Sequence, residues 1–316
     1  MQLNTVLRPL VLLLIGFLLI GAGQLAAQEM PEPEQAGVDF RQSITVDAAT
    51  TLEAQLTYRA GWRVPLGGTG LLTQGNNIDL GLRGTVNPVS ISGGADLVIT
   101  PVAVLQLEAA GTIGSGWYLS PVEVNGIGVL EDVADNSYSQ DAFDGVVLQT
   151  RLGAAVQFDT GAVVPGPWSS VLMRSYHGAH FQHHTGADSA PWEYMGTKDN
   201  LNGWSYNTSS VLAYQLHAVP YVQLAGILFE TETRLTDRSD AEVADGGWGS
   251  DYVGMNLGGL VALQPAPQHS LAILVQWSRT PDWDDSDVGL PLRTLDADDP
   301  ASWEFWRAAL SYSFSF

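Results

Sequence analysis

Four of the six histidines lie close together in the sequence, and a carboxylate follows them. The residues are His177, His180, His183, His184 and Asp188. Imidazole and carboxylate groups in proximity can ligate zinc or copper, or act as a general base. His180 and His184 share strand parity and would point to the same side of a strand. The loop that follows could fold His183 and Asp188 toward them. The spacing matches no recognised ligand pattern, and we favour loop histidines at an aromatic-rich rim over a metal site at His180, His183, His184 and Asp188.

A serine and a histidine of this region also share one parity. Ser175 and His177 would face the same side of a strand, where a hydroxyl and an imidazole could act together on an ester. Two such residues on one strand are common by chance. The pair is therefore an alternative and not an assigned site.

Charged residues of both signs recur on the polar face of several predicted strands. The cationic members are Arg59, Arg63, Arg83, Arg151, Arg174, Arg234 and Arg307. The anionic members are Glu53, Asp79, Asp96, Glu108, Glu230 and Glu232. An unpaired charge in a low-dielectric interior costs several kcal/mol. We therefore expect these residues to pair with one another wherever the strands bring them inside one enclosure.

The elements that position these residues are strands, because apolar and polar residues alternate with period 2. Leu56, Tyr58 and Trp62 share one parity, whereas Arg59 and Arg63 share the other. The chain ends in the same pattern. Apolar residues stand at Ala308, Leu310, Tyr312, Phe314 and Phe316, with polar residues at Arg307, Ser311, Ser313 and Ser315. One face in an apolar medium and the other in a polar one explains such alternation.

This ending resembles that of bacterial outer-membrane β-barrels, whose closing strand ends in an aromatic residue with apolar positions two apart. The resemblance concerns a class of architecture and implies an all-β, transmembrane, antiparallel up-and-down barrel in the outer membrane. It also implies that the barrel-assembly machinery engages the closing strand, with Tyr312, Phe314 and Phe316 as the assembly signal.

The front of the chain predicts export. Residues 1–27 combine one arginine, an apolar run and small residues, which is typical of a cleaved signal peptide. A membrane anchor is the alternative. We expect residues 28–50 to form a flexible periplasmic lead-in and residues 51–316 to form the barrel. The sequence contains no cysteine, which excludes disulfides and thiol chemistry.

About ten strands are expected, within a range of eight to twelve. Short connections with proline or glycine alternate with long ones rich in aspartate, glycine and tryptophan, as in bacterial barrels. The phase of alternation reverses near Asn87 and Pro88, so residues 76–100 are either one bulged strand or two strands with a turn. An even count places both termini in the periplasm. We therefore predict one strand with a bulge at Pro88.

The net charge of −21 argues against nucleic acid as a partner. Many acidic residues fall in the predicted loops, where we interpret them as solvated faces. A divalent-cation layer shared with the anionic headgroups of lipopolysaccharide is the alternative. Outer-membrane lipid is the expected surrounding, and the oligomeric state stays open.

The expected function is that of a non-enzymatic barrel with a narrow lumen that salt bridges plug. A small-solute or cation channel is the first alternative, and a surface hydrolase or metal-binding protein using residues 177–188 is the second. Glu230, Glu232 and His180 are similar in type to groups of the ten-stranded omptin proteases. The omptin motif cannot be placed on this chain residue by residue, so no activity follows from that similarity.

Overall fold

The structure is a computed structural model of the 316-residue chain. It describes residues 37–51, 53–68, 70, 72–73, 75–164, 170–216, 219–236, 252–296, 298 and 300–316. The predicted signal peptide, residues 1–27, lies outside the described residues, as does the first part of the predicted lead-in.

Eighteen strands are present in the described ranges. In chain order they are β1 (Asp39–Ala49), β2 (Ala54–Pro65), β3 (Asn77–Asn87), β4 (Ser90–Val102), β5 (Leu105–Gly116), β6 (Tyr118–Leu119), β7 (Val124–Asn125), β8 (Ile127–Asp132), β9 (Ser137–Tyr138), β10 (Val147–Asp159), β11 (Val171–His184), β12 (Trp192–Tyr194), β13 (Thr197–Asn200), β14 (Gly203–Gln215), β15 (Val222–Arg234), β16 (Val253–Ala266), β17 (His269–Pro281) and β18 (Ala301–Ser315). Short helical turns occupy Ser120–Val122, Thr160–Val163 and Leu290–Leu292. Within the same ranges, no helix is long and apolar enough to cross a membrane.

Twelve of these strands close into one antiparallel barrel. Its order is β1-β2-β3-β4-β5-β10-β11-β14-β15-β16-β17-β18, and β18 pairs with β1 to close it. Ser43 lies opposite Ser315 and Ala49 opposite Ala309 along this seam. The predicted all-β antiparallel barrel is confirmed, with twelve strands in place of ten.

The two additional strands have separate origins. Residues 76–100 are two strands and not one, because a tight turn at Pro88 and Val89 joins β3 to β4. The Asn87 side chain accepts hydrogen bonds from the backbone N–H groups of Val89 and Ser90, which stabilises the turn. The predicted bulge at Pro88 is therefore wrong. A phase reversal at a proline fits both a bulge and a hairpin, and the local pattern does not distinguish them.

The other additional strand lies in the predicted lead-in. Asp39–Ala49 forms β1, with ten residues paired to β2 on one side and seven to β18 on the other. The prediction that residues 28–50 are a flexible lead-in is therefore wrong for this part of the segment. Closing the barrel requires a partner for β18, and an unpaired edge would leave backbone groups without hydrogen bonds.

The outer wall is a continuous apolar surface. Side chains of alternate parity point outward and stay at least partly exposed on every wall. Examples are Leu56, Leu82, Ile91, Ile113, Leu152, Val156, Leu212, Ile227, Leu257 and Leu310. A closed sheet with an apolar exterior satisfies all its backbone groups internally, as a lipid environment demands. This exterior is that of a membrane-spanning barrel.

The connections differ between the two ends of the barrel. The four longest, residues 117–146, 185–202, 235–252 and 282–300, join strands at one end of the barrel, whereas β1 begins and β18 ends at the other. Long connections are external and short turns periplasmic in bacterial barrels, so we call these the outer and the periplasmic ends. Two outer connections, residues 50–53 and 88–89, are short. The outer rim is therefore low near β1–β4 and high elsewhere.

Candidate functional site: the barrel lumen and its lid

Charged side chains pair across the lumen face of β2–β4. Arg59 donates to Asp96 at 2.5 Å, and the Arg63 guanidinium donates to both oxygens of Asp79 at 2.9–3.1 Å. Arg59 and Asp96 lie on strands that are not neighbours, and Gly81 of β3 lies beneath the pair. A Cβ atom at Gly81 would lie 2.4 Å from the Arg59 Nη2 atom. The glycine therefore leaves the space through which the ion pair crosses β3.

A second group of charges spans β5, β10 and β11. Glu108 accepts a hydrogen bond from Arg174 and lies 3.9 Å from Arg151. The Tyr176 ring lies below both guanidinium groups, with its centroid 6.0 Å from the Arg151 Cζ atom and 5.7 Å from that of Arg174. One carboxylate and one aromatic face together compensate two buried cations.

A third group joins β15, β17, β18 and the outer turn before β2. Gln276 donates to Glu230 at 3.1 Å and accepts from the Arg307 Nε atom at 2.8 Å. The Arg307 Nη1 atom lies 3.3 Å from Glu53, and the guanidinium stacks 3.8 Å from the Trp306 ring centroid. Arg307 and Glu230 are each 1% exposed. This group is the most deeply enclosed of the three.

The remaining predicted lumen charges have partners of their own. Arg83 donates to the Thr112 hydroxyl at 2.7 Å. Glu232 is hydrogen-bonded to Ser205 and interacts electrostatically with Arg234 two residues along β15. The structure thus places all thirteen predicted charged residues on the lumen side of the barrel or its outer turn.

The periplasmic half of the lumen is apolar along β11–β18. Seven buried side chains contact one another there: Leu172, Ala213, Leu224, Leu228, Leu260, Ala262 and Leu274. Leu228 is fully buried. Such residues on the inner face depart from the usual alternation of polar inside and apolar outside. They pack against one another on the inner face of the barrel.

The outer mouth carries a folded lid, which we define as residues 117–146 and 185–202. β8, β9, β12 and β13 form a small sheet in the order β13-β12-β8-β9. Trp192 and Ile127 are fully buried within it. Tyr194 reaches across the mouth to hydrogen-bond Ser90 and Ser92 at the start of β4, and burial raises its pKa to about 12.

The close approach of the lid to the wall depends on a glycine. A Cβ atom at Gly114 of β5 would lie 2.1 Å from the Tyr194 hydroxyl. The lid therefore rests against a strand position where only glycine leaves enough room.

A buried carboxylate ties the lid to the outer connection that precedes β18. Asp199 accepts from the Tyr138 hydroxyl and from the Arg293 Nη1 atom, both at 2.8 Å. Burial and the nearby Asp199 charge raise the pKa of Tyr138. Three separate connections are thus joined at one buried point, which makes the lid an ordered cap.

The structure does not gather the predicted metal ligands. His180 and His184 point into the lumen, whereas His183 lies on the outer face and stacks on Phe181. The His184 Nδ1 atom accepts from the Gly186 N–H group at 3.0 Å, and Asp188 lies in the connection beyond. Among the described residues, no group of three or more His, Cys, Asp or Glu side chains could hold a metal ion. The alternative of a metal site is not supported, because alternation sends His183 to the opposite face. The favoured interpretation as loop histidines is wrong as well, since all four histidines lie on β11.

The predicted assembly residues lie on the outer face of the closing strand. Tyr312 and Phe316 are exposed, and the Phe314 and Phe316 rings stack with their centroids 5.8 Å apart. The Phe316 N–H group donates to the Gln42 carbonyl at 3.0 Å. The last residue of the chain is therefore part of the seam that closes the barrel.

Several residues of the lumen site are absent from the sequence-based prediction. Asp47 is buried and accepts from Gln55 at 2.9 Å. The sequence does indicate that Asp47 faces inward, since Ile44, Val46 and Ala48 alternate with Thr45 and Asp47. Gln276 gives no such signal, because an uncharged side chain on a polar face does not indicate that it bridges two charges.

No protein-family model and no curated protein matches the chain. Solved structures that are similar include the translocator domain of the autotransporter NalP from Neisseria meningitidis, at 10% identity and a TM-score of 0.42, covering 96% of this chain and 95% of that one. The KdgM porin in complex with disordered oligogalacturonate is 8% identical, with a TM-score of 0.36 and coverages of 87% and 99%. OmpT, an outer membrane protein of Vibrio cholerae, is 7% identical, with a TM-score of 0.34 and coverages of 92% and 100%.

These likenesses are remote. The closed sheet, the apolar exterior and the unequal connections described above make the chain a twelve-stranded antiparallel β-barrel of the bacterial outer-membrane class.

Proposed function

We propose that this protein is an outer-membrane barrel whose lumen is closed by its own side chains. The observation that carries the proposal is the enclosed group around Arg307, in which Glu230, Gln276 and Glu53 connect the inner faces of β15, β17 and β18 to the turn before β2. A charge that is almost fully buried and compensated on several sides is not available to line a hydrated path.

Two further features support a closed lumen. The apolar cluster around Leu228 fills the periplasmic half, and a hydrophobic constriction excludes water and ions. The lid covers the outer mouth and is fastened to β4 through Tyr194. We assign no catalytic role to the lumen, and we propose that the lid is the part of the molecule presented at the cell surface, next to lipopolysaccharide.

Planar-bilayer recording tests this proposal. The refolded full chain, shown to be folded by heat-modifiable migration, is expected to give no conductance steps in neutral salt, with or without a chelator. A variant lacking residues 186–201 is expected to stay silent as well, because the block lies within the barrel. Steady steps from either protein would contradict the proposal.

A narrow channel for small solutes is a second function, which one observation favours. The side chains of Arg59 and Arg63 are 30% exposed, so the β2 wall retains some contact with water. If the protein is such a channel, the wild type would give single-channel conductance steps. The ion selectivity of these steps would change after Arg59→Ala. Such a change would place the conducting path along β2.

We also propose that the barrel-assembly machinery recognises the closing strand. Phe316 is exposed on the outer face, and its backbone is hydrogen-bonded at the seam. Deletion of Phe316 is expected to lower the amount of folded protein in the outer membrane strongly, as measured by protease accessibility on cells. Normal surface levels of the truncated chain would contradict this role.

A further inference from the structure

Three polar side chains form a hydrogen-bonded chain on the outer wall, outside the lumen. The Ser175 Oγ atom lies 3.1 Å from the His177 Nε2 atom. The Tyr206 hydroxyl of the neighbouring strand β14 lies 2.7 Å from the His177 Nδ1 atom. Ser175 and His177 share the outward parity of Met173 on β11, and Tyr206 shares that of Leu212 on β14.

The arrangement has the order of parts that an activated nucleophile needs. A hydroxyl lies within hydrogen-bonding reach of an imidazole nitrogen, and a third group orients the base through its other nitrogen. With the histidine proton on Nδ1, Tyr206 accepts from the imidazole and Nε2 is free to accept the Ser175 proton. Tyr206 then fixes the tautomer in which His177 can act as a base.

A second serine completes the group. The Ser210 Oγ atom lies 2.9 Å from the Ser175 Oγ atom, on the β14 residue that pairs directly with Ser175. When Ser175 donates to His177, Ser210 donates to Ser175. Once the Ser175 Oγ atom has bonded to an acyl carbon, the Ser210 proton is free to turn to the oxyanion beside it.

The position of this group in the membrane selects its substrate. Exposed Met173 and Leu212 lie on its periplasmic side, and Phe181 and Trp204, whose ring centroids are 5.1 Å apart, lie on its outer side. Ser175 is four residues from the periplasmic start of β11 and nine from its outer end. The group therefore lies on the part of the wall nearer the periplasmic leaflet, in which the glycerophospholipid ester bonds lie between the headgroups and the acyl chains. Polar groups facing lipid are costly and mark functional positions.

We propose that Ser175, His177 and Tyr206 form an acyl-ester hydrolase site on the lipid-facing wall, with a glycerophospholipid as substrate. Ser175 and His177 are the catalytic residues, and Tyr206 is a positioning residue. The site is separate from the lumen and does not depend on whether the lumen conducts.

The reaction balances with water as the only co-substrate. The Ser175 Oγ atom bonds to the ester carbonyl carbon while its proton passes to His177 Nε2. The bond between that carbon and the glycerol oxygen breaks, and the proton from His177 goes to the leaving alkoxide. Water then gives a proton to His177 and its hydroxyl to the acyl carbon. The Ser175–acyl bond breaks, the proton returns to Ser175, and a fatty acid and a lysophospholipid are released.

The chain offers a matched control elsewhere on the outer wall of the barrel. The His269 Nδ1 atom lies 2.7 Å from the Tyr312 hydroxyl, which reproduces the His177–Tyr206 pair on β17 and β18. His269 packs against Phe314, with ring centroids 5.1 Å apart. His269→Ala removes an outward histidine of the same kind without touching Ser175.

The test measures fatty-acid release by the refolded full chain in vesicles of phosphatidylethanolamine and phosphatidylglycerol. Wild type and His269→Ala are expected to release fatty acid, Ser175→Ala none, and His177→Ala at least about 100-fold less than wild type. A long-chain alkyl phosphonate is expected to label Ser175 in wild type and not in His177→Ala. Tyr206→Phe is expected to lower kcat and to change the acid limb of the pH profile, which a structural role alone would not do.

Outcomes that overturn the proposal are equally specific. Absence of both release and phosphonate labelling in folded wild-type protein would refute it. Fatty-acid release by Ser175→Ala equal to that of wild type would also refute it. So would a Ser175→Ala variant that keeps its activity and loses only a crosslinked dimer, because Ser175 would then be a contact residue and not a nucleophile. Release from lipopolysaccharide-containing vesicles alone would refute the phospholipid assignment.

Discussion

The lumen walls formed by β2–β4 and by β15–β18 carry the same kinds of charged residue in different surroundings. Arg63 and Asp79 pair bidentately on the first wall, and the Arg63 side chain is 30% exposed. Arg307 on the second wall is 1% exposed and lies between Gln276, Glu53 and a tryptophan ring. An ion pair near water contributes little, whereas a buried one whose partner is removed is costly. Burial, and not the presence of charge, therefore decides which wall depends more strongly on its ion pairs.

The two walls also differ in what surrounds the charges. The periplasmic half of β15–β18 contributes leucines that contact one another across the inner face. The β2–β4 wall presents polar or small residues at the corresponding inward positions of β3, namely Asn77, Asp79 and Gly81. The low outer rim lies above this β2–β4 wall, since its outer connections are short. Water can approach the barrel interior more readily from that side.

Removing the arginine of the buried wall is expected to have the largest effect on stability. Arg307→Ala leaves Glu53 and Glu230 without their shared cation, and it should lower the free energy of unfolding by about 3–5 kcal/mol. Urea unfolding in phospholipid vesicles, followed by tryptophan fluorescence, measures this. A loss below about 1 kcal/mol would show that the ion pairs of the two walls contribute equally to stability, because exposed pairs contribute that little.

The second-largest loss in the free energy of unfolding is expected from truncating the apolar cluster. Leu228→Ala removes a fully buried side chain and should cost about 2–5 kcal/mol in the same unfolding assay. Ile227→Ala is the matched control, since its neighbouring side chain is 54% exposed on the outer face. Equal losses for the two variants would show that the leucines do not form a packed core.

A charge on the outer wall distinguishes the two faces of the barrel. Leu257→Arg places a cation on the lipid-facing side of β16 and should cost about 2–4 kcal/mol near the bilayer centre. The adjacent inward residue, Asn256, offers the comparison variant Asn256→Asp. A neutral effect of Leu257→Arg would mean that this position does not face lipid.

The smallest effect is expected on the hydrated wall. Arg63→Ala breaks a bidentate pair that water can reach, and it should lower the free energy of unfolding by less than about 1 kcal/mol. Titrating salt in the same assay sharpens the comparison, because only the Arg63–Asp79 pair should weaken measurably with ionic strength. A large loss in Arg63→Ala would show that the β2–β4 wall is as enclosed as its counterpart.

Much of the fold could be predicted from the sequence, and the exceptions have definite causes. The phase reversal at Asn87 and Pro88 was visible, but its meaning depends on whether Asn87 caps a turn. The strand Asp39–Ala49 shows ordinary alternation of apolar and polar residues. Its position soon after the predicted signal peptide favours a lead-in over a strand, which is why the sequence misleads there. Trp306 and Arg307 are both buried because a register shift between β17 and β18 lies there. Such a shift is set by the partner strand and not by the local pattern.

The candidate site divides in the same way. The sequence identifies Ser175 and His177 as residues of one parity, and only the structure adds Tyr206 and Ser210 from the next strand. It identifies His180, His183 and His184 as a cluster, and only the structure separates them onto two faces. Proximity along a strand is therefore a poor guide to proximity in space where side chains alternate.

The sequence by itself determined the barrel class, the outward and inward faces of most strands, and most of the charges in the lumen. Those properties follow from period-2 alternation, which is local and is written into each strand separately. The tertiary structure decided which charges pair, which half of the lumen face carries the apolar cluster, and where the lid contacts the wall. Those contacts join residues such as Glu53 and Arg307 from opposite ends of the chain. They depend on strand order and register around the closed sheet, and no local pattern encodes them.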